Sequence, residues 1–167
     1  EVSPVIWNIF KVAIESFETY AYEYFDSFQP FFESIINKGF GQPDITIADE
    51  RVQALMNVCF TILKDEDTDP VFAHLAFENI ELTVLALNQR FASFLPQFLP
   101  EIFDIFTKLE SQDAFDGYML HHLSILKILF ACIYVDPAVT VQFILSKGFL
   151  VDFYKLWIKY SSDFQSV

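Results

Sequence analysis

Glycine is scarce in this chain, with 4 in 167 residues, and cysteine scarcer still at 2. So little glycine argues against an all-β fold, whose tight turns call on it repeatedly. Cys59 and Cys132 stand far apart on apolar stretches, with no Cys-x-x-Cys pairing. They read as small buried hydrophobes and fit a reducing compartment. Basic residues are also thin, 10 against 23 acidic, for a formal net charge of −13. That disfavours direct contact with nucleic acid or an anionic membrane, because phosphate contacts need Lys and Arg. It favours basic partners, and it also keeps an aromatic-rich surface soluble.

Long uninterrupted hydrophobic runs are missing too. The most apolar stretch, Ile125 to Leu150, carries Lys127, Asp136-Pro137 and Lys147. No run of about 18 residues is free of charges and breakers, so membrane insertion is not expected. The start, EVSPVIWN, has no basic n-region of a signal peptide. The absence of an initiator Met, with a last helix running close to the last residue, leads us to expect a piece of a longer chain.

Apolar bulk is abundant. Hydrophobic residues make up 53% of the chain and 21 of the residues are Phe, enough for burial to offset the ordering entropy. Period-2 alternation is absent and the apolar runs repeat near 3.6, so the fold class is all-α. Helices are expected over roughly 4–17, 22–38, 47–64, 70–87, 94–110, 115–135, 137–147 and 150–160. Ser3-Pro4, Asp69-Pro70 and Asp136-Pro137 are start signals, with Pro at the first helical position. A turn is expected near Glu18 to Ala21 and a kink or late start at Pro30. Gly39 should end the second helix as a C′ residue. Thr46 and Asp49 form a capping-box pattern ahead of the third. Asn88-Gln89-Arg90 interrupts the helical pattern.

These helices pair. First members begin near Pro4, Ile47, Ala92 and Pro137, a spacing of roughly 43 to 45 residues, within the ~40–47 period of HEAT and armadillo arrays. The expected architecture is one αα-superhelix of about four hairpins (4–38, 47–88, 92–135 and 137–160). Its second members are more apolar than its first, as suits an inner layer pressed between neighbours.

The stretch Asp69 to Asn88 is the clearest inner helix. At about 100° per residue, His74, Glu78, Glu81 and Asn88 fall in one narrow polar stripe on an otherwise apolar cylinder. Asp26 and Glu33 of the preceding inner helix should face the same side, and His121 and Lys127 of the next should continue it. This stripe is the candidate partner-binding surface. The acidic run Asp65, Glu66, Asp67 and Asp69 is a second candidate, for a basic peptide. It lacks the alternating ligands, central Gly and distal Glu of a Ca²⁺ loop.

Signals for catalysis or a cofactor are weak. His121 and His122 are adjacent and point about 100° apart on a helix, so they do not share a metal as i,i+4 ligands do. His74 and Glu78 form an i,i+4 pair without a nucleophile motif. Gly39-Phe40-Gly41 ends a helix rather than opening one, unlike a phosphate loop. The reading is a non-enzymatic binding module with no cofactor and no metal.

The first hairpin, SPVIWNIFKVAIESFETYAYEYFDSFQPFFESIINKGF, resembles the helix pair in the C-terminal half of importin-β-type nuclear transport receptors. The likeness rests on Ser3-Pro4, Trp7, Phe17, Glu23-Tyr24-Phe25 and Pro30. It continues through ERVQALMNVCFTILKDEDTD, LPQFLPEIFDIFTKLES and LSILKILFACIYVDPAVTVQFI. The subgroup it looks most like is importin seven/eight with its fungal relatives. The resemblance implies a HEAT superhelix that takes protein cargo on its concave side, in a receptor shuttling between cytoplasm and nucleus. It also implies that the full-length receptor meets the GTPase Ran and Phe-Gly nucleoporins. The family's Ran surface lies mainly in amino-terminal repeats, so no Ran-contacting residue carries over to this stretch. The rival expectation is a HEAT-type scaffold in a large assembly unrelated to transport.

Overall fold

The computed structural model describes residues 2–20, 24–111 and 118–161, leaving aside the side chains of 18–20, 109–111 and 118–121. Every regular element among them is helical. The α-helices are α1 (Pro4–Tyr20), α2 (Phe25–Ile35), α3 (Glu50–Lys64), α4 (Pro70–Leu87), α5 (Leu95–Ser111), α6 (Tyr118–Val135), α7 (Pro137–Ser146) and α8 (Leu150–Tyr160). A π turn (Ile36–Phe40) extends α2, and a 3₁₀ segment (Asn88–Phe94) joins α4 to α5.

Two start signals act as their chemistry dictates. Asp69 accepts from Val71 N at 2.8 Å and Asp136 from Val139 N at 3.1 Å, each with Pro at the opening of the helix. Three expectations need correction. The first helix does not turn at Glu18; it runs on to Tyr20, because no glycine or proline stands there to stop it. The third begins at Glu50, not Ile47. Its cap is Asp49, whose carboxylate accepts from Arg51 N at 2.9 Å and is clamped by the Arg51 side chain at 2.8 and 2.6 Å. The Thr46 hydroxyl accepts from Ala48 N inside the preceding turn instead.

Gly39 is the third correction. It is buried within the π turn rather than standing past a helix end. Its need for glycine is spatial: a Cβ there would lie 2.5 Å from Cη2 of Trp7. Trp7 stacks on Phe40 on one side and takes the Arg51 guanidinium 4.1 Å above its ring. Helices α1, α2 and α3 are thereby locked around one indole.

The helices sort into two layers. α2, α4, α6 and α8 touch in series, while α1 packs on α3 and α5 on α7. Between them lies a phenylalanine-rich core in which Phe10, Phe32, Phe77, Phe98 and Phe106 are all fully buried. Edge-on contacts such as Phe10–Phe32 and Phe91–Phe98 join successive elements. Both thiols are sealed in this core, and burial pushes them up, Cys132 to about 12.

Three consecutive residues gather α2, α4 and α6 at one end. Asn88 terminates α4 with φ of 49°, a conformation that Asn adopts more readily than most side chains. Gln89 Nε2 donates to the Val135 carbonyl at the end of α6, at 2.6 Å. Arg90 donates to Ala86 and Leu87 at the end of α4, and to Phe40, Gly41, Gln42 and Ile45 beyond α2. The carboxyl ends of α2 (through its π turn), α4 and α6 therefore meet there, and these three helices run parallel. A guanidinium is well suited to the junction, since helix C-termini carry partial negative charge and exposed carbonyls.

Pro70–Lys108 is the one described stretch with the length and composition of a membrane span. Asn88 divides it into α4 and α5, which belong to different layers.

Candidate partner-binding strip

The parallel course of α2, α4 and α6 brings positions on the three helices into side-by-side register. The first meeting is between α2 and α4. Gln29, 7% exposed, donates from Nε2 to Glu33 Oε1 at 3.4 Å and to Glu78 Oε2 at 3.2 Å. Its Oε1 accepts from Nδ2 of fully buried Asn79 at 2.8 Å. Two carboxylates from different helices thus converge on one neutral amide. A single amide leaves most of their acceptor capacity open, and their like charges favour a cation between them. Asn79 Oδ1 is buried without a hydrogen-bond partner among the described residues.

The second meeting is between α4 and α6. His74 Nδ1 lies 3.0 Å from Ser124 Oγ. A Ser–His contact is the opening geometry of a nucleophile and its base, yet Ser124 is only 4% exposed. Its oxygen is closed to an incoming substrate, and the contact serves to register the two helices. Further along the two helices, Glu81 and Lys127 face each other across the same interface without a contact ion pair. Burial pushes the Glu81 carboxyl above its ordinary value, Lys127 pulls it back, and Glu78 adds to the rise.

The predicted stripe is therefore only partly contiguous. Glu33, His74, Glu78, Glu81 and Lys127 lie along the α2–α4–α6 surface, each partly exposed. Asp26 stands in the first turn of α2, where its Oδ1 accepts from Ser27 N at 2.7 Å. Asn88 is placed at the helix break. His121 lies on α6, and its side chain is outside the described residues. Gln29 and Asn79 went unread in the sequence. The signal that could have found them is an amide set among apolar neighbours, which must find a partner when buried.

The acidic loop takes a different form from the strip. Asp69 is consumed as the α4 cap, and Asp65 Oδ1 accepts from Asp67 N at 3.0 Å. Glu66 pairs with Lys108 at 2.8 Å, and that ammonium holds its carboxyl below the usual range. Asp67 is exposed. Among the described residues, no group of three or more His, Cys, Asp or Glu is placed to hold a metal ion.

Where α4 and α6 meet α8, a groove of about 400 Å³ opens, walled by Leu85, Phe130, Tyr134 and Trp157 and bordered by Glu81 and Lys127. No family model, curated protein or solved structure matches the chain.

Proposed function

We propose that this chain is a protein-binding segment of a HEAT-type solenoid, one array over 1–167, and that it takes a basic segment of a partner along the α2–α4–α6 surface. The observation that carries the reading is the convergence of Glu33 and Glu78 on the single amide of Gln29. The solenoid is supported by the two-layer order of the helices. It is supported too by contacts across the inner layer that recur at separations of 45 to 50 residues, close to a HEAT period. Helices α1, α3, α5 and α7 begin at Pro4, Glu50, Leu95 and Pro137, again roughly 42 to 46 residues apart.

Within this reading, the likeness to importin-β-type receptors makes the partner a protein cargo, carried between cytoplasm and nucleus by a longer receptor that also meets Ran and Phe-Gly nucleoporins. The role is binding without catalysis or cofactor; the burial of Ser124 beside His74 favours this. The test is a titration with a lysine- and arginine-rich peptide at low and high salt. Affinity should fall steeply with salt and be lost on Glu78→Lys with Glu81→Lys. Equal affinity at both salts, or no change on charge reversal, would sink the electrostatic reading. Release of a bound basic protein from the full-length receptor by GTP-loaded Ran tests the transport assignment.

A second reading, a scaffold gripped through its outer layer, is favoured by one observation. Helix α1 exposes Val5, Ile6, Ile9 and Val12, with Val5 66% and Val12 61% accessible. A run of apolar side chains on one outer helix is a surface that a neighbouring protein would cover.

A further inference from the structure

The groove at the α4–α6–α8 junction differs in kind from the acidic strip it adjoins. Its walls are aromatic and aliphatic: Phe130 and Trp157 meet edge-on at 5.9 Å, and Leu85, Tyr134 and Trp157 are 39%, 65% and 41% exposed. Large apolar side chains left open around one concavity are a recognition feature, since a lone exposed leucine or tyrosine is ordinary and a walled cluster is not. Its two charged borders, Glu81 and Lys127, have opposite sign and make neither an ion pair nor a side-chain hydrogen bond among the described residues. They contribute no net charge, so the groove does not select a cation. Together they offer an acceptor and a donor suited to a peptide main chain.

We propose that this groove seats a large apolar side chain, leucine or larger, belonging to the same basic segment whose cationic residues meet Glu33 and Glu78. The proposal rests on the strip reading and deepens it from charge attraction to a pattern. Along α4, Glu81 lies about 4.5 Å and Leu85 about 10 Å beyond Glu78, at 1.5 Å per residue. An extended chain covers ~3.3 Å per residue. The groove also lies about 10 Å to the side, one helix spacing from the α2–α4 interface, so the anchor falls about four residues from the cation held by Glu33 and Glu78. In this arrangement the strip supplies long-range attraction and the groove supplies discrimination, because an apolar pocket rejects a small or polar residue by what it fails to bury.

The experiment uses the whole chain and two labelled synthetic peptides. They are arginine-rich and differ at one position, Leu in one and Ala in the other, four residues beyond an Arg pair, and are read by fluorescence anisotropy. The Leu peptide should bind at least about tenfold more tightly. Tyr134→Ala and Trp157→Ala should each weaken the Leu peptide toward the Ala peptide's affinity and leave the Ala peptide unaffected. Tyr134 is the more exposed of the two, so Tyr134→Ala serves as the variant whose fold stands if Trp157→Ala does not. Equal binding of both peptides, with salt dependence retained, would overturn the groove and leave the acidic strip intact. No binding of either peptide at low salt would overturn both.

Discussion

Removing the Arg90 guanidinium should loosen the junction of α2, α4 and α6. Its five N–H donors serve six carbonyls, those of Ala86, Leu87, Phe40, Gly41, Gln42 and Ile45. In Arg90→Met the stem stays and the donors vanish. A hydrogen bond to a charged group contributes roughly 1.5–3 kcal/mol, and a cation at a helix C-terminus adds roughly 0.3–1 kcal/mol. The six are not additive. Several share one nitrogen, and Arg90 is only partly buried, so water recovers the outer carbonyls. A net loss of about 3 kcal/mol follows, a fall of roughly 6–12 °C in Tm for a chain of this size. Arg90→Lys, which keeps the charge but not the fork, should fall between. Thermal unfolding followed by circular dichroism measures this. A Tm within about 2 °C of the parent for Arg90→Met would refute the assignment of Arg90 as the clasp.

Other outcomes follow from the same packing. Gly39→Ala drives a methyl into the Trp7 indole and should cost about 1–3 kcal/mol, with a change in tryptophan fluorescence showing that the indole has moved; an unchanged melt and spectrum would contradict the close approach. Cys59 and Cys132 should resist a thiol reagent in the native protein and react only on unfolding, because burial raises both thiols; rapid native labelling would contradict the sealed core. Burial raises the Glu81 carboxyl, so the folded state holds that proton more tightly than the unfolded one. The sign is then fixed: stability from this group is present at acid pH and is lost as pH rises through the elevated folded value. Glu81→Gln should match the parent in acid and exceed it at neutral pH, and the reverse trend in chemical denaturation would contradict the placement.

Much of the fold was legible because it rests on local chemistry. Asp-Pro pairs open α4 and α7, and the 3.6 period marks the buried faces. The parts that were not legible depend on partners far along the chain. Asn88-Gln89-Arg90 reads only as an interruption until the ends of α2 and α6 arrive beside it. Gly39 reads as a helix stop until Trp7 is stacked against it. Thr46 reads as the cap and Asp49 as its capping-box partner until the Arg51 side chain is seen to fix Asp49 as the cap itself. The strip shows the same division. Periodicity on α4 placed Glu78 and Glu81 together, but the pairing of Glu78 with Glu33 runs through Gln29, a residue whose importance appears only when α2 and α4 are parallel and in register.

The central claim is that Glu33 and Glu78 form the anchoring point for a partner's cation. The most direct measurement is the salt dependence of arginine-rich peptide binding to the parent, to Glu33→Gln, to Glu78→Gln and to the double variant. Neutralising either carboxylate should weaken binding several-fold and flatten the dependence on salt, and the double variant should lose less than the sum of the two, since both hold one cation. Identical salt slopes for all four proteins would contradict it.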